Sequence, residues 1–173
     1  TARADTSIRA GTQTDGIYAG GYGPGTTTQG ITEEWNGSAW SEVGDLNTAR
    51  YYAGNSGTTS TSALAVGGNP ARDIVEAFNG TSWSETHELN TGREDSNGGG
   101  GSSTSALNFG GYANPPGTLA VTESYNGSSW TEVGDLANAV YVSGSGTNAS
   151  TTAQISFYGA RPGETAASEV WDV

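Results

Sequence analysis

Glutamate and arginine recur at fixed places in similar segments of this chain. The glutamates are Glu33, Glu76, Glu123 and Glu169, and the arginines are Arg3, Arg50 and Arg93. A ring of carboxylates could hold a ligand, but one carboxylate and one guanidinium per segment favour a structural role. We expect each glutamate to pair with an arginine of a neighbouring segment or with backbone amides, because buried ion pairs specify a fold more than they stabilise it.

The sequence offers little for catalysis. His87 is the single histidine, and the chain has no cysteine and no methionine. A transition-metal site needs a cluster of His and Cys ligands, and neither Asp15-Gly16 nor Asp135 fits the pattern of a calcium loop. No spacing suggests a Ser-His-Asp arrangement. We therefore expect a protein that is not an enzyme and that uses no cofactor and no metal.

Candidate ligand-binding residues lie in the loop after the second strand of each repeat, which follows Gly20-Gly21, Gly67-Gly68, Gly110-Gly111 or, in the fourth repeat, Tyr158-Gly159. Tyrosine, asparagine and arginine suit polar, planar ligands such as sugars, although each residue could equally be an ordinary solvated loop residue. The candidates are Tyr22, Asn69, Arg72, Tyr112 and Arg161. The same loops hold all five prolines and vary most in length, which is typical of recognition on a regular scaffold.

These residues are positioned by an internal repeat. The segments Glu33–Trp40, Glu76–Trp83 and Glu123–Trp130 share the pattern Glu-x-aromatic-Asn-Gly-x-x-Trp, and a fourth segment starts at Glu169. A period of about 40 to 50 residues predicts stacked units that cannot bury their apolar faces alone. We predict a single domain over 1–173 with repeats at 1–47, 48–90, 91–137 and 138–173.

Each repeat predicts four short strands. The first is rich in small residues, as in 53–57 and 98–101, although the 98–101 glycines could also form a flexible loop. The second alternates apolar residues, as at Leu64 and Val66. The third and fourth form a hairpin at Asn-Gly, which is preferred in two-residue turns because both positions need positive φ. We assign the Asn-x-Ser/Thr glycosylation patterns at Asn36, Asn79 and Asn126 to this turn chemistry.

A six-part pattern carries a family resemblance. Gly67-Gly68, Glu76, Phe78, Trp83, Leu89 and Arg93, with equivalents one repeat earlier, resemble the kelch repeat over nearly the whole chain. The resemblance implies an all-β fold, a β-propeller of four kelch-like four-stranded antiparallel blades. Tyr158 in place of a glycine and Val140 in place of the arginine depart from the pattern. We expect Trp40, Trp83 and Trp130 to pack between neighbouring blades.

The number of blades is left open by the repeats. A closed ring of four, part of a longer chain and a dimer that completes a larger ring are all compatible, and the small inner strands favour a narrow ring of four. The last blade is expected to lack its outer strand after Trp171. An uncovered strand edge is an association hazard or an interface, and we predict that Trp171 lies at such an interface.

Composition limits the partners. The net charge is −12, with six arginines and no lysine, which disfavours nucleic acid and anionic membranes because both need clustered cations. No apolar run is long enough to insert into a membrane. The start at Thr1 suggests a processed or trimmed chain. The acidic, Gly/Ser/Thr-rich composition favours an extracellular or virion-surface location.

Two functions follow as hypotheses. The first is a non-enzymatic binding module that recognises a glycan or a protein surface, as in a phage fibre, spike or decoration. The alternative is a structural assembly subunit, a homo-oligomer joined through the incomplete fourth blade.

Overall fold

The structure is a computed structural model that describes residues 2–4, 8–70, 72–141, 144–145, 153–157 and 168–172. In the strand segments 97–100, 144–145, 153–157 and 171–172 the backbone alone is described. The fold of these residues is all-β, with antiparallel sheets that follow one another along the chain. None of the described residues belongs to a helix that could cross a membrane.

Three of the sheets have four strands each, in sequence order. Sheet 1 contains β1 (Ile8–Thr12), β2 (Asp15–Ala19), β3 (Thr32–Trp35) and β4 (Trp40–Glu42). Sheet 2 contains β5 (Gly54–Thr59), β6 (Ser62–Val66), β7 (Val75–Phe78) and β8 (Trp83–Glu85). Sheet 3 contains β9 (Asn97–Ser102), β10 (Ser105–Phe109), β13 (Thr122–Tyr125) and β14 (Trp130–Glu132), with a ribbon of β11 (Tyr112–Ala113) and β12 (Gly117–Thr118) inserted after β10.

The described part of sheet 4 contains three strands in the order β15-β16-β17. They are β15 (Gly144–Ser145), β16 (Ala153–Phe157) and β17 (Ser168–Asp172). The glycines at 98–101 lie in β9, so the strand interpretation of this segment is confirmed. Arg161 and the fourth-repeat glycine position at Tyr158 lie outside the described residues, and Trp171 is described as backbone in β17 only.

The hairpin between the third and fourth strands differs from the prediction. Trp35 pairs with Trp40 across it, as Phe78 pairs with Trp83 and Tyr125 with Trp130, so the cross-strand aromatic pairs are confirmed. Positive φ occurs at the glycine, as at Gly37 with φ 90°, but not at the preceding asparagine. Instead, Asn36 Oδ1 accepts hydrogen bonds from the backbone N–H groups of Ser38 and Ala39, at 3.0 Å each. The asparagine thus closes the turn with its side chain.

The sheets pack face to face through their first strands, β1 beside β5 and β5 beside β9. Between sheets 1 and 2, Ile17, Ala19 and Leu46 meet Phe78 and Trp83 in one buried cluster. Between sheets 2 and 3, a second buried cluster contains Leu64, Val66, Val75, Leu89, Ala106, Tyr125 and Trp130. The apolar core is therefore divided into layers between neighbouring sheets. Each layer needs few apolar side chains, so a chain with 33% hydrophobic residues can stabilise the fold by burying them.

The packing predicted for the three tryptophans holds for two of them. Trp83 and Trp130 are 5% and 6% exposed, between their own sheet and the preceding one. The prediction is wrong for Trp40, whose side chain is 54% exposed. The physical reason is that sheet 1 is the first in the stack, so no earlier sheet of the described chain covers Trp40.

Three of the recurring carboxylates, Glu33, Glu76 and Glu123, form ion pairs with arginines in the described part of the chain. Glu76 is fully buried, and its Oε1 accepts a hydrogen bond from Arg50 Nη2 and another from the backbone N–H of Thr48 at 3.1 Å. Its Oε2 accepts from the backbone N–H and the side-chain amide of Asn47, at 2.8 and 2.9 Å. Glu123 has the same set of contacts in the next repeat, from Arg93, Asn90 and Thr91.

The arginine partner differs from the expectation of a neighbouring repeat. Arg3 pairs with Glu33, Arg50 with Glu76 and Arg93 with Glu123, and in each case both residues belong to the same repeat. The glutamates contact the preceding repeat by accepting hydrogen bonds from its backbone N–H groups. Asn47 N–H donates to Glu76, and Ala137 N–H donates to Glu169, each at 2.8 Å. Burial lowers the pKa of Arg50, and the attraction of Glu76 opposes that shift.

Candidate functional site

The glycine pairs bring the end of each second strand against the next repeat. Gly67 and Gly68 have φ values of 61° and 95°, a left-handed conformation that glycine adopts without steric cost. Gly68 N–H donates to the carbonyl of Arg93 at 2.9 Å, and a Cβ on Gly67 would lie 2.4 Å from the same oxygen. This close approach fixes the loop after the glycines beside the segment after the arginine.

Within each of the first three repeats, the residue after the glycine pair forms an antiparallel bridge with the residue after the arginine. The bridged pairs are Ala4 with Tyr22, Tyr51 with Asn69, and Glu94 with Tyr112. Each bridge has two backbone hydrogen bonds of 2.7–3.1 Å. The bridge therefore recurs at the same position of the repeat even though its residues differ.

Between repeats, side chains continue the same line of contacts. The rings of Tyr22 and Tyr51 lie 4.0 Å apart at 30°, and the rings of Tyr112 and Tyr141 lie 6.3 Å apart, edge to face. Asn69 Nδ2 donates to Glu94 Oε2 at 2.5 Å. Bridges and inter-repeat contacts alternate, so Ala4, Tyr22, Tyr51, Asn69, Glu94, Tyr112 and Tyr141 form one continuous row, which we call the belt.

Arg72 lies directly beside the belt, in contact with Glu94. Arg72 Nη2 donates to Glu94 Oε1 at 2.8 Å, while Asn69 holds the other carboxylate oxygen. Glu94 is 9% exposed, whereas the Arg72 side chain is 30% exposed. The carboxylate is thus oriented from both sides, while Arg72 Nη1 is buried without a hydrogen-bond partner in the described part of the chain.

Tyr51 is held in its neutral phenol form by its surroundings in the belt. A hydrogen bond with Tyr22, together with burial and nearby negative charge, raises the pKa of Tyr51 to about 12. Tyr51 also stacks edge to face on Tyr52, with ring centroids 4.8 Å apart. The row therefore offers hydroxyl groups that can donate and accept hydrogen bonds beside aromatic ring surface.

Backbone strain coincides with the belt. Tyr52 and Asp95 occupy equivalent positions, directly after the belt residues Tyr51 and Glu94, and have φ values of 54° and 52°. Positive φ is uncommon for a residue with a side chain and is notable for a bulky one. Asp95 N–H donates to the carbonyl of Tyr52 at 2.8 Å, which links the two strained segments.

The candidates from the sequence divide into three groups. Tyr22, Asn69 and Tyr112 lie in the belt, Arg72 lies directly beside it, and Arg161 lies outside the described residues. The sequence reasoning missed Tyr51, Glu94 and Tyr141. These three occupy the same place in each repeat, directly after Arg50, Arg93 and Val140, and that periodicity is the signal that could have identified them.

The belt is suited to binding by contact. It combines half-buried aromatic rings, an amide, an oriented carboxylate and an arginine. Among the residues that the structure describes, no group of three or more His, Cys, Asp or Glu side chains could hold a metal ion. No protein-family model and no curated protein sequence matches this chain.

Proposed function

We propose that this protein is a non-enzymatic binding module, and that the belt contacts a glycan or a protein surface. The observation that carries the proposal is the continuous line of inter-repeat contacts from Tyr22 to Tyr141. Tyrosine provides rigid contact area at a small entropic cost because it has two side-chain torsions, and its hydroxyl adds hydrogen bonding. Asparagine, arginine and carboxylate groups next to tyrosine give a surface the means to orient polar ligands.

The scaffold for this site is, in our proposal, a kelch-like β-propeller. Four features support it: the recurring Gly-Gly, Glu, aromatic and Trp positions, the antiparallel order of the strands, the face-to-face packing of the sheets and the buried Arg–Glu pairs. In such an arrangement the second-to-third loops and the connections between blades share one face, which is where the belt residues occur. An extracellular or virion-surface location fits the acidic composition.

The site can be tested with a glycan array and fluorescently labelled protein. We expect binding by the native chain and a loss of about tenfold or more on Tyr22→Ala or Tyr112→Ala, because either change removes an aromatic ring from the row. Tyr22→Phe and Tyr112→Phe keep the rings and separate stacking from hydrogen bonding by the hydroxyls.

The opposite end of the sheets supplies matched controls. The 36–39 hairpin and its equivalents lie there, beside the turn after each first strand, as Gly80 lies against Thr61. Ser38→Ala and Thr61→Ala remove exposed hydroxyls at that end and should leave binding unchanged. Circular dichroism establishes that each variant is folded. Binding that survives the tyrosine changes but is lost in a control variant would contradict the proposal.

A further inference from the structure

Two large hydrophobic side chains are exposed among the described residues, at opposite ends of the stack of sheets. Trp40 of sheet 1 is 54% exposed, and Val170 of sheet 4 is 68% exposed. Single exposed apolar side chains are common on protein surfaces, whereas a contiguous apolar patch marks an interaction site, and Trp40 belongs to a ring cluster with Trp35 and Tyr18. The inference that follows does not depend on the proposed function of the belt.

Each sheet has two different faces, and the interfaces between sheets always join unlike faces. One face carries the cross-strand aromatic pair, and we call it the Trp face. The Trp face of sheet 2 packs on Ile17, Ala19 and Leu46 of the first repeat. The Trp face of sheet 3 packs on Leu64, Val66 and Leu89 of the second. An aliphatic face of the preceding sheet therefore covers the Trp face of the next.

The Trp face of sheet 1 is formed in the same way but lacks that cover. Trp40 lies 5.6 Å from Trp35 and 6.4 Å from Tyr18 between ring centroids. A cleft of about 510 Å³ opens against Tyr18 and Trp40, with Arg9 and Thr58 among its other walls. The exposed fraction of Trp40 contrasts with 5% and 6% for its equivalents Trp83 and Trp130.

Val170 lies on the face of sheet 4 that would complete such an interface. Glu169 accepts a hydrogen bond from the end of the preceding repeat, as Glu76 does, so Val170 corresponds to Ala77. Ala77 packs in the cluster between sheets 2 and 3, on the aliphatic side of sheet 2. Val170 is therefore placed on the side of sheet 4 that corresponds to this side of sheet 2, and we call that side the aliphatic face of sheet 4.

We propose that the Trp face of sheet 1 binds the aliphatic face of sheet 4 of a second copy of this chain. Trp40 and Val170 are both exposed in one chain, so they do not cover each other there. The occupant is identified by continuity, since every covered Trp face in the described stack meets the aliphatic face of another repeat of this same chain. Two copies joined reciprocally, head to tail, satisfy both faces and close with twofold symmetry.

The oligomeric state of the whole chain tests this proposal, by native mass spectrometry and by sedimentation equilibrium. We expect a dimer of about 35 kDa, twice the chain mass of 17.5 kDa. Because each chain carries a net charge of −12, added salt should strengthen the association by screening repulsion. Trp40→Ala should weaken dimerisation by about 30-fold or more, as expected on losing a central aromatic anchor.

Mixing two variants distinguishes head-to-tail contact from other arrangements. Trp40→Ala keeps the aliphatic face, Val170→Glu keeps the Trp face, and each alone should be largely monomeric. An equimolar mixture retains one intact contact and should form a heterodimer. Glu85→Ala changes an exposed residue of sheet 2 and should leave the dimer unaffected.

Three results would overturn the proposal. The first is a native chain that stays monomeric over the accessible concentration range. The second is a dimer that Val170→Glu leaves intact, because a symmetrical contact between two Trp40 side chains would behave in that way. The third is a defined species of another size. Loss of glycan binding with the dimer intact would bear on the belt and leave this interface unaffected.

Discussion

Trp83 Nε1 donates a hydrogen bond of 2.9 Å to Thr32 Oγ1, and this bond crosses from sheet 2 to sheet 1. Both groups are buried, with Thr32 fully inaccessible and Trp83 5% exposed. One repeat further along, Val75 stands where Thr32 stands, and the buried Nε1 of Trp130 has no hydrogen-bond partner in the described part of the chain. The same inter-sheet contact thus exists in two versions, one satisfied and one not.

The pair of interfaces predicts opposite effects for two reciprocal substitutions. Thr32→Val leaves the indole N–H of Trp83 buried without an acceptor and should lower the free energy of unfolding by about 1–3 kcal/mol. Val75→Thr supplies an acceptor for Trp130 and should be markedly less destabilising, or stabilising. Urea denaturation followed by tryptophan fluorescence measures both. Equal losses for the two variants would show that shape alone, and not the hydrogen bond, decides their effect.

The buried ion pairs predict unequal effects for equivalent arginines. In the pair of Arg50 and Glu76 both side chains are fully inaccessible, whereas Glu33, the partner of Arg3, is 16% exposed. Arg50→Met keeps much of the side-chain volume but leaves a buried carboxylate without its cation, which costs about 3–5 kcal/mol. Arg3→Met should cost less, because water can reach Glu33.

Thermal and urea unfolding of Arg50→Met and Arg3→Met provide the comparison. Glu76→Gln is a useful third variant, because it removes the charge while retaining an oxygen that can accept from the Asn47 amide. If Arg3→Met is as damaging as Arg50→Met, burial of the carboxylate is not the controlling factor.

Local patterns predicted much of the fold. The aromatic pairs predicted the register of the hairpins, and the paired glycines predicted the ends of the second strands. The predicted two-residue Asn-Gly turn was wrong, because the four residues 36–39 separate the paired aromatic residues. The identity of each Glu partner was not predictable, because a repeat pattern places Arg50 equally well beside Glu76 or beside a neighbouring repeat's glutamate. The exposure of Trp40 was missed for a related reason, since the repeat pattern does not show which sheet lacks a preceding sheet in the described chain.

The candidate site was recovered in part. Tyr22, Asn69 and Tyr112 were identified because they follow the glycine pairs. Their partners Tyr51 and Glu94 were missed because the residues after the arginine share no residue type from repeat to repeat. The bridge that joins the two positions is made by the backbone, which accepts any side chain.

The glycine pairs predict a test of close backbone approach. Gly67→Ala places a Cβ 2.4 Å from the carbonyl oxygen of Arg93, at a φ of 61°, and should destabilise the protein by about 2 kcal/mol or more. Gly134 is the control, because a Cβ there would meet no heavy atom within 4 Å. Gly134→Ala should therefore be neutral or slightly stabilising. Equal stability of the two variants in urea denaturation would contradict the described path of the glycine loop.

The contact between Tyr22 and Tyr51 predicts a pH dependence at the belt. The pKa of Tyr51 is raised to about 12, first of all by its hydrogen bond with Tyr22, from an ordinary value of about 10. The folded state therefore holds this proton more tightly than the unfolded state does. The resulting contribution to stability is complete below about pH 10 and is lost as the pH rises through about 12.

Tyr22→Phe should lower the pKa of Tyr51, as measured by tyrosinate absorbance in an alkaline titration. Tyr51→Phe should remove this part of the pH dependence of unfolding, and Tyr125→Phe, outside the belt, should retain it. An alkaline titration of Tyr22→Phe that is indistinguishable from that of the native chain would show that the two belt hydroxyls are not coupled.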